Sequence, residues 1–182
     1  IGGYLAGTSL EDVSSDHAAF GETAQAAGDR LKKMLAVNGK RTVDDFHREL
    51  GIIMWDYCGM SRNNAGLETA RGKIQQLRRE FWEDVLVPGN AADFNQSLER
   101  AGRVADYLEF SEMMIMDALA RQESCGGHFN EDFQTDENEA LRDDENFCHA
   151  AAWKYTGEDQ PPEFHKEPLA FENVELSQRS YK

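Results

Sequence analysis

The sequence lacks long apolar runs and a secretion signal, and it has few cysteines, which excludes several classes of protein. No apolar run approaches the roughly 20 residues that a membrane-spanning helix needs, and no basic segment followed by an apolar one opens the chain as a secretion signal would. Cysteine is scarce: Cys58, Cys125 and Cys148 are an odd number without a Cys-x-x-Cys pair, which favours free thiols in a reducing compartment over a disulfide framework. We therefore expect a soluble protein without direct membrane insertion.

Basic residues are the next shortage. Lys and Arg number 19 against 34 Asp and Glu, a net charge of −15 that is spread along the chain. Such a surface repels nucleic acid and anionic membranes, and it suits a partner with a basic face. The 182 residues suffice for one domain, or one domain with a small appendage. Because the chain opens at Ile1 and not at Met, we expect it to be part of a longer protein.

What the sequence does contain is apolar residues at helical spacing, in four segments. Thr42 and Asp45 form a capping box for the second segment, and glycines at 39, 59 and 89 separate the four. The pattern predicts a mainly α fold, an antiparallel up-down bundle of three to four helices like a spectrin repeat. The predicted helices run from caps at Ser14, Ser15 or Asp16 to Val37, from Thr42 to Gly59, from Asn64 to Val87, and from a cap at Asn90 or Asp93 to Arg121.

The apolar face of each predicted helix defines the predicted core. Met113, Met114 and Met116 lie beside the last face and are predicted to fill gaps in the core. Trp55, Trp82 and Trp153 are interpreted as core or interface anchors. In chain order, the core positions are Phe20, Ala24, Ala27, Leu31 and Met34; Phe46, Leu50, Ile53, Met54 and Tyr57; Leu67, Ala70, Ile74, Leu77, Phe81 and Val85; and Leu98, Ala101, Ala105, Leu108, Ile115 and Leu119.

The chain changes character after this bundle. We assign residues 1–122 to the helical bundle and residues 123–182 to a motif loop and a mostly irregular C-terminal tail. Residues 134–145 form a charged connection, and residues 147–155 are a candidate strand, so the tail has room for a short strand pair. The tail cannot form a core of its own, and we expect it to pack on the bundle or on another domain.

The stretch from residue 120 to residue 144 combines residue types that a helix end does not require. Arg121 offers a planar fork for carboxylates or carbonyls, and Glu123 and His128 need partners if they are buried. Gly126 and Gly127 allow backbone conformations closed to other residues. Two interpretations remain open: a polar helix C-terminus capped by glycine, or a surface on which another part of the protein docks.

Catalysis and metal binding are weakly supported by the residue types. Cys125, His128, Cys148 and His149 are the residues that a tetrahedral zinc site takes, but adjacent residues such as Cys148 and His149 point apart in a strand. Cys125 as a nucleophile lacks a third group to orient a base. Paired acids in so acidic a chain are more often a solvated edge. We therefore predict no catalytic, cofactor-binding or metal-binding residue in this chain.

Several stretches resemble flavoprotein subunits of succinate dehydrogenase and fumarate reductase. ARQESCGGHFNED (residues 120–132) resembles their Ala-Arg-x-Glu-Ser-Arg-Gly-x-His segment, and LRDDENF (141–147) is similar to the Arg-Asp-Asp segment that follows it. MWDYCGMSRNNAGL (54–67) is similar to a helix junction of the family, and QRSYK (178–182) to its terminal Arg-x-Tyr. IGGYLAG at the start resembles the point where the chain leaves the flavin-binding domain.

The resemblance implies a parent enzyme that interconverts succinate and fumarate through FAD, often held covalently on a histidine. It implies electron transfer to an iron-sulfur subunit, a membrane anchor reached through that subunit, and a peripheral place on the cytoplasmic face of the inner membrane. The catalytic residues would lie upstream of Ile1, and this chain would be the C-terminal non-catalytic domain. L-Aspartate oxidase shares the architecture and is the near competitor. The alternative to a flavoprotein domain is a free-standing acidic helical module that binds other proteins and has a possible Cys/His metal site.

The resemblance also implies a role for the motif loop and the tail, which would hold the helical domain against the flavin-binding domain. In that case the partners of Arg121, Glu123, Ser124 and His128 are expected to lie outside this chain. Cys125 and Asn130 stand where many members of the family have Arg, so ion pairs made by those arginines are in doubt here. The proposed docking residues are Arg121, Glu123, Ser124, Gly126, His128, Asp132, Arg142, Asp143, Asp144, Arg179 and Tyr181.

Overall fold

The computed structural model describes residues 16–157 and 160–177. Within these residues the chain forms five helices and two short strand pairs, so the predicted mainly α fold with a strand pair in the tail is confirmed. The helices are α1 (Ala18–Val37), α2 (Val43–Cys58), α3 (Asn64–Asp84), α4 (Gln96–Ala120) and α5 (Asp144–Phe147). The strands are β1 (Arg41–Thr42), β2 (Val85–Leu86), β3 (His149–Lys154) and β4 (Glu163–Pro168).

The contacts divide the chain into two compact units. The first comprises Ile1–His47 and Arg78–Tyr107, and the second comprises Arg48–Leu77 and Leu108–Lys182. Helices α2, α3 and α4 each contribute residues to both units. The assignment of residues 1–122 and 123–182 to separate domains stays a prediction.

The core of the first unit lies where the start of α2 meets the end of α3. The rings of Phe46 and Phe81 are fully buried and meet edge to face, with centroids 5.3 Å apart. Beside them β1 pairs in parallel with β2. Gly39 precedes β1 and packs directly on the end of α3, because a Cβ atom at this position would lie 2.0 Å from the backbone carbonyl carbon of Asp84. Val85 and Leu86 therefore leave the helix, which ends at Asp84 and not at Val87 as predicted.

The residues that cap the helix N-termini agree only in part with the predicted ones. The capping box is confirmed: the Asp45 carboxylate accepts the Thr42 N–H at 3.1 Å, and the Thr42 hydroxyl oxygen accepts the Asp45 N–H at 3.2 Å. The predicted cap of the fourth helix is wrong, because the Asn95 side chain accepts the Leu98 N–H at 3.0 Å. At α1 the His17 ring accepts the Ala19 N–H, whereas Ser14 and Ser15 lie outside the described residues.

Helix α1 differs most from its predicted burial. Phe20, at 54% exposure, and Ala24, Ala27 and Leu31 are exposed, so their assignment to the core is wrong. Met34 alone of the five predicted positions is buried. The contacts of α1 within its unit lie in its C-terminal half, where the Arg30 guanidinium pairs with Asp106 of α4 at 2.6 Å. The amphipathic pattern of the N-terminal half therefore faces solvent.

The second unit buries the rest of the bundle core. Leu50, Leu67, Ile74, Leu108 and Ile115 are buried, as predicted. A hydrogen bond of 2.6 Å from the Gln75 amide to Glu112 joins α3 to α4. Several predicted core positions are less buried than expected, because they lie at the border of the apolar faces: Met54, Tyr57, Met113, Met116 and Leu119 are half-buried, and Met114 is exposed.

The tryptophans illustrate the limits of residue type as a guide to burial. Trp55 is 82% exposed, so the core alternative is wrong for it, and its role as an interface anchor stays a prediction. Trp153 on β3 is half-buried, and its indole N–H donates to Asp117 of α4 at 2.8 Å. Its ring lies 4.5 Å from that of Phe164, the residue paired with it on β4. These contacts anchor the antiparallel pair β3–β4 on α4.

The helices of the described residues include none that is both long enough and apolar enough to cross a membrane.

Candidate functional site

The two glycines of the motif lie in a tight turn and not at a helix cap. Helix α4 already ends at Ala120, so the interpretation of Gly126 as the capping residue is wrong. The Cys125 N–H donates to the His128 carbonyl at 2.9 Å, and the His128 N–H donates back to the Cys125 carbonyl at 3.0 Å. Gly126 has φ +59°, the left-handed conformation that glycine adopts without strain, whereas Gly127 has no positive φ.

Arg121 joins the end of α4 to the tail. Its guanidinium donates to the Glu123 carboxylate at 3.1 Å and to the backbone carbonyls of His149, at 3.1 Å, and Phe147, at 3.4 Å. Glu123 is 3% exposed, and its second oxygen accepts the Asp143 N–H at 2.9 Å. A charge buried to this degree is tolerated because both carboxylate oxygens have donors. The pair therefore links the motif to α5 and β3.

Ser124 and Asn130 form the buried centre of the motif. Both side chains are fully buried. The Ser124 hydroxyl donates to the Asn130 carbonyl at 3.0 Å, and its oxygen accepts the Asn130 N–H at 2.9 Å. The Asn130 side-chain amide donates to Asn64 at the start of α3, and its oxygen accepts the Asp132 N–H. One hydroxyl thus satisfies two backbone groups that water does not reach.

The junction between α2 and α3 (residues 59–63), together with Asn64 at the start of α3, is the second half of the site. The Arg62 N–H donates to the Phe129 carbonyl at 3.1 Å, and the Glu131 N–H donates to the Arg62 carbonyl at 2.7 Å. The Ser61 hydroxyl donates to Glu131, and the Asn64 N–H donates to Asp132 at 2.7 Å. The carboxylate of Asp132 thereby lies at the positive end of α3, where a negative charge is stabilised.

His128 connects this junction to the end of α4. The Arg62 guanidinium donates to Nδ1 of His128 at 3.0 Å, and Nε2 of His128 lies 3.0 Å from the Arg121 carbonyl oxygen. Burial, followed by the charges of Arg62 and Arg121, lowers the pKa of His128, although the bond to the Arg121 carbonyl opposes this effect. These effects together favour the neutral form of the ring.

Arg142, Asp143 and Asp144 lie along an open groove of about 830 Å³, which Phe133 and Phe147 also line. The Arg142 guanidinium pairs with both oxygens of Asp144 and also donates to the Ser177 carbonyl at 2.9 Å. Asp143 caps α5 by accepting the Asn146 N–H at 3.1 Å. Arg179 and Tyr181 lie outside the described residues.

The geometry does not support the zinc hypothesis. Both ring nitrogens of His128 already have hydrogen-bond partners. His149 is buried, with ring centroids at 5.9 Å from Phe147 and 6.3 Å from Phe164. The described residues hold no group of three or more His, Cys, Asp or Glu placed to bind a metal ion. Cys58 is buried, and burial raises the pKa of its thiol.

The structure brings together stretches that the sequence analysis treated separately. The junction segment and the motif segment lie side by side, and Arg62 and Asn64, which the predicted site omits, belong to it. The expectation that the partners of Arg121, Glu123, Ser124 and His128 lie outside the chain is wrong, because each has a partner within it. The signal for Arg62 was its place in the resembling stretch at residues 54–67.

Comparisons with known proteins identify a family of flavoprotein subunits. The family described as "Fumarate reductase flavoprotein C-term" matches residues 47–181. The fumarate reductase flavoprotein subunit of Haemophilus influenzae is 25% identical over 181 residues, 99% of this chain and 29% of that protein. That of Escherichia coli is 31% identical over 134 residues, 72% of this chain and 21% of that protein. An L-aspartate oxidase of Vibrio cholerae is 36% identical over 85 residues, 47% of this chain and 15% of that protein. The chain spans less than a third of the length of these relatives.

Solved structures show the same fold. A structure of an E. coli quinol fumarate reductase FrdA mutant aligns with a TM-score of 0.77 at 23% identity and covers 91% of this chain and 27% of that chain. A structure of Mycobacterium smegmatis Sdh1 in complex with UQ1 aligns with a TM-score of 0.64 at 22% identity, covering 91% of this chain and 26% of that chain. With the family match over residues 47–181, the chain belongs to the fumarate reductase flavoprotein C-terminal family.

Proposed function

We propose that this chain is the C-terminal, non-catalytic domain of a flavoprotein that interconverts succinate and fumarate with FAD. In this proposal the parent flavoprotein passes electrons to an iron-sulfur subunit and, through it, to a membrane anchor, and lies on the cytoplasmic face of the inner membrane. The observation that carries the proposal is the family match over residues 47–181. The names of the relatives supply the flavoprotein and the reaction.

The FAD is assigned to residues outside this chain. A dinucleotide phosphate is held by a glycine-rich turn between a strand and a long helix. Gly126 lies instead in the Cys125–His128 turn, which follows the end of α4 and precedes the bridge between Arg62 and Asn130. When bound in the parent flavoprotein, FAD would accept the two electrons of the oxidation.

The residues of the site fall into two groups by their exposure. Arg121, Glu123, Ser124 and His128 are bonded within the chain, and their part in docking is to hold the loop in shape. The exposed members, among them Gly126, Asp132 and Asp144, are the proposed contact surface for the flavin-binding domain, together with Arg142, Asp143, Arg179 and Tyr181. A surface that is already ordered before docking lowers the entropy cost of binding.

The test uses the native protein, captured from its source with an antibody to this chain. We expect a yellow protein several times larger than 20.5 kDa that oxidises succinate with an artificial acceptor, while the 182-residue chain alone shows neither colour nor turnover. A native protein that oxidises L-aspartate and leaves succinate unchanged would establish the L-aspartate oxidase alternative, which the Vibrio cholerae relative favours. A native protein without flavin would refute both.

Docking is tested on the same two proteins by amide hydrogen exchange. The Gly126 and Gly127 amides should exchange rapidly in the 182-residue chain and be protected in the native protein, because the flavin-binding domain covers the turn there. The loop around Asp136 and Glu137, which is exposed and outside the proposed surface, serves as the control. Equal exchange of the turn in both proteins would show that it is not a docking surface.

A further inference from the structure

His128 lies between two groups whose hydrogen-bonding roles cannot change. The Arg62 guanidinium, 3.0 Å from Nδ1, can only donate, and the Arg121 carbonyl, 3.0 Å from Nε2, can only accept. Nδ1 must therefore accept and Nε2 must carry the proton. The arrangement admits a single form of the ring, the neutral Nε2–H tautomer.

Protonation of this ring removes the bond to Arg62. The added proton would sit on Nδ1 and face the guanidinium N–H, so two donors of like charge would meet across 3.0 Å. The charged groups that act on the ring are Arg62 from the α2–α3 junction and Arg121 and Asp117 from α4. Asp117 favours the charged ring, but its carboxylate also accepts the indole N–H of Trp153. Glu123 is paired with Arg121.

The ring is the link that ties the turn itself to a segment far away in the chain, whereas the bonds of Asn130 and Glu131 to Asn64 and Ser61 join the residues that follow the turn. Arg62 belongs to the α2–α3 junction, and His128 closes the turn at residues 125–128. We propose that His128 is a pH-sensitive latch, whose neutral ring ties the turn to the α2–α3 junction and whose protonation releases the turn. The latch is a property of this chain alone and does not depend on the proposed function.

The direction of the pH dependence follows from the shift of the pKa of His128. This pKa is lowered in the folded chain, so the unfolded chain, in which histidine has a pKa of about 6.5, binds the proton more readily. The stability that the latch contributes is therefore fully present above about pH 6.5. It is lost as the pH falls from that value through the lower pKa of the folded state.

The test is nitrogen-15 NMR of the 182-residue chain between pH 8 and pH 5. We expect the Nε2–H tautomer of His128 at pH 8 and a titration midpoint below about 6.5. The Cys125 and His128 amides, corrected for intrinsic exchange, should lose protection on acidification, because the bond between Arg62 and the His128 ring is lost. The amides that join β3 and β4 should change little. A midpoint at or above that of free histidine, or a turn with constant protection, would overturn the proposal.

Two variants separate the latch from general acid sensitivity. In His128→Gln the amide oxygen can accept from Arg62 and the amide nitrogen can donate to the Arg121 carbonyl without titrating, so the turn should stay protected at pH 5. His165→Gln, at an exposed position of β4, should keep the wild-type response. Arg62→Met should raise the His128 midpoint by removing the facing cation, and this readout stands if the His128→Gln chain fails to fold. The latch would be refuted if the turn of His128→Gln lost protection on acidification as the wild-type turn does. It would also be refuted if the titration midpoint of His128 were unchanged in Arg62→Met.

Discussion

At the scale of single residues, Ser124 shows how one small side chain holds the motif together. Its hydroxyl serves the N–H and the carbonyl of Asn130, and neither side chain is exposed to water. A buried backbone group that loses its hydrogen-bond partner destabilises the fold, because it has given up its bonds to water and has nothing in their place. The contribution of Ser124 therefore exceeds that of an ordinary surface hydroxyl.

Ser124→Ala should lower the free energy of unfolding by about 1 to 3 kcal/mol, because it leaves the buried Asn130 N–H without this bond, while the Asn130 carbonyl still accepts the Phe133 N–H at 2.9 Å. Urea unfolding at pH 7.5 measures the change. The matched control is Ser61→Ala, which removes an exposed hydroxyl bonded to Glu131 and should cost no more than about 0.5 kcal/mol. Equal losses in the two variants would mean that the Ser124 site relaxes or admits water.

The same scale shows where sequence reasoning reached its limit at the site. Arg121, Glu123, Ser124 and His128 could be selected because their residue types are unusual for a helix end. Arg62 could not be paired with His128, since the two are 66 residues apart and no local pattern joins them. Prediction of the motif thus identified several members of the site, but it missed Arg62 and Asn64 and did not identify the partners of the others.

At the scale of elements, Gly39 sets how closely the end of α3 approaches the segment before β1. Gly39→Ala should lower the free energy of unfolding by about 2 to 4 kcal/mol, because the added Cβ would overlap the backbone of Asp84, which cannot move as a side chain can. Thermal and urea unfolding measure the loss. Gly28→Ala on α1 is the control, since its Cβ would meet nothing within 4 Å and the change should be neutral or stabilising by up to about 1 kcal/mol. A harmless Gly39→Ala would show that β1 can shift.

The prediction of helix and strand boundaries succeeded where the boundary depends only on residues close in sequence. The capping box of Thr42 and Asp45 needs only three residues of sequence, and the structure has it. The exit of Val85 from α3 could not be predicted, because it depends on pairing with Arg41 from a distant segment. The exposed apolar half of α1 is a further example, since periodicity indicates an amphipathic face but not what covers it.

At the scale of the whole molecule, charge decides how the chain behaves toward copies of itself. The net charge of −15 at pH 7 vanishes near the isoelectric point of about 4.7. We expect the 182-residue chain to be monodisperse in static light scattering at pH 7.5 and to associate as the pH approaches 4.7, because mutual repulsion falls while apolar side chains such as Trp55 stay exposed. Added salt at pH 7.5 should have a smaller effect of the same sign. Association at pH 7.5 that disappears at pH 4.7 would contradict this account.

Membership of the family could be inferred from the sequence because several short segments occur in one order over the whole chain. The family match removes the main support for a free-standing interaction module. Burial and partner choice depend instead on tertiary contacts, and these became visible only in the structure.

The exposed edges of the strand pair β3–β4 bear on whether the chain can form fibrils. Among the described residues these two strands pair only with each other, so each has an outer edge that could recruit a strand from another chain. Lys154, Glu163 and Glu167 place charges along the pair, and Pro168 at the end of β4 has no N–H to offer. A cross-β stack would have to bury these charges in register with identical copies. These charges and Pro168 therefore oppose the addition of strands from other copies to the edges of the hairpin.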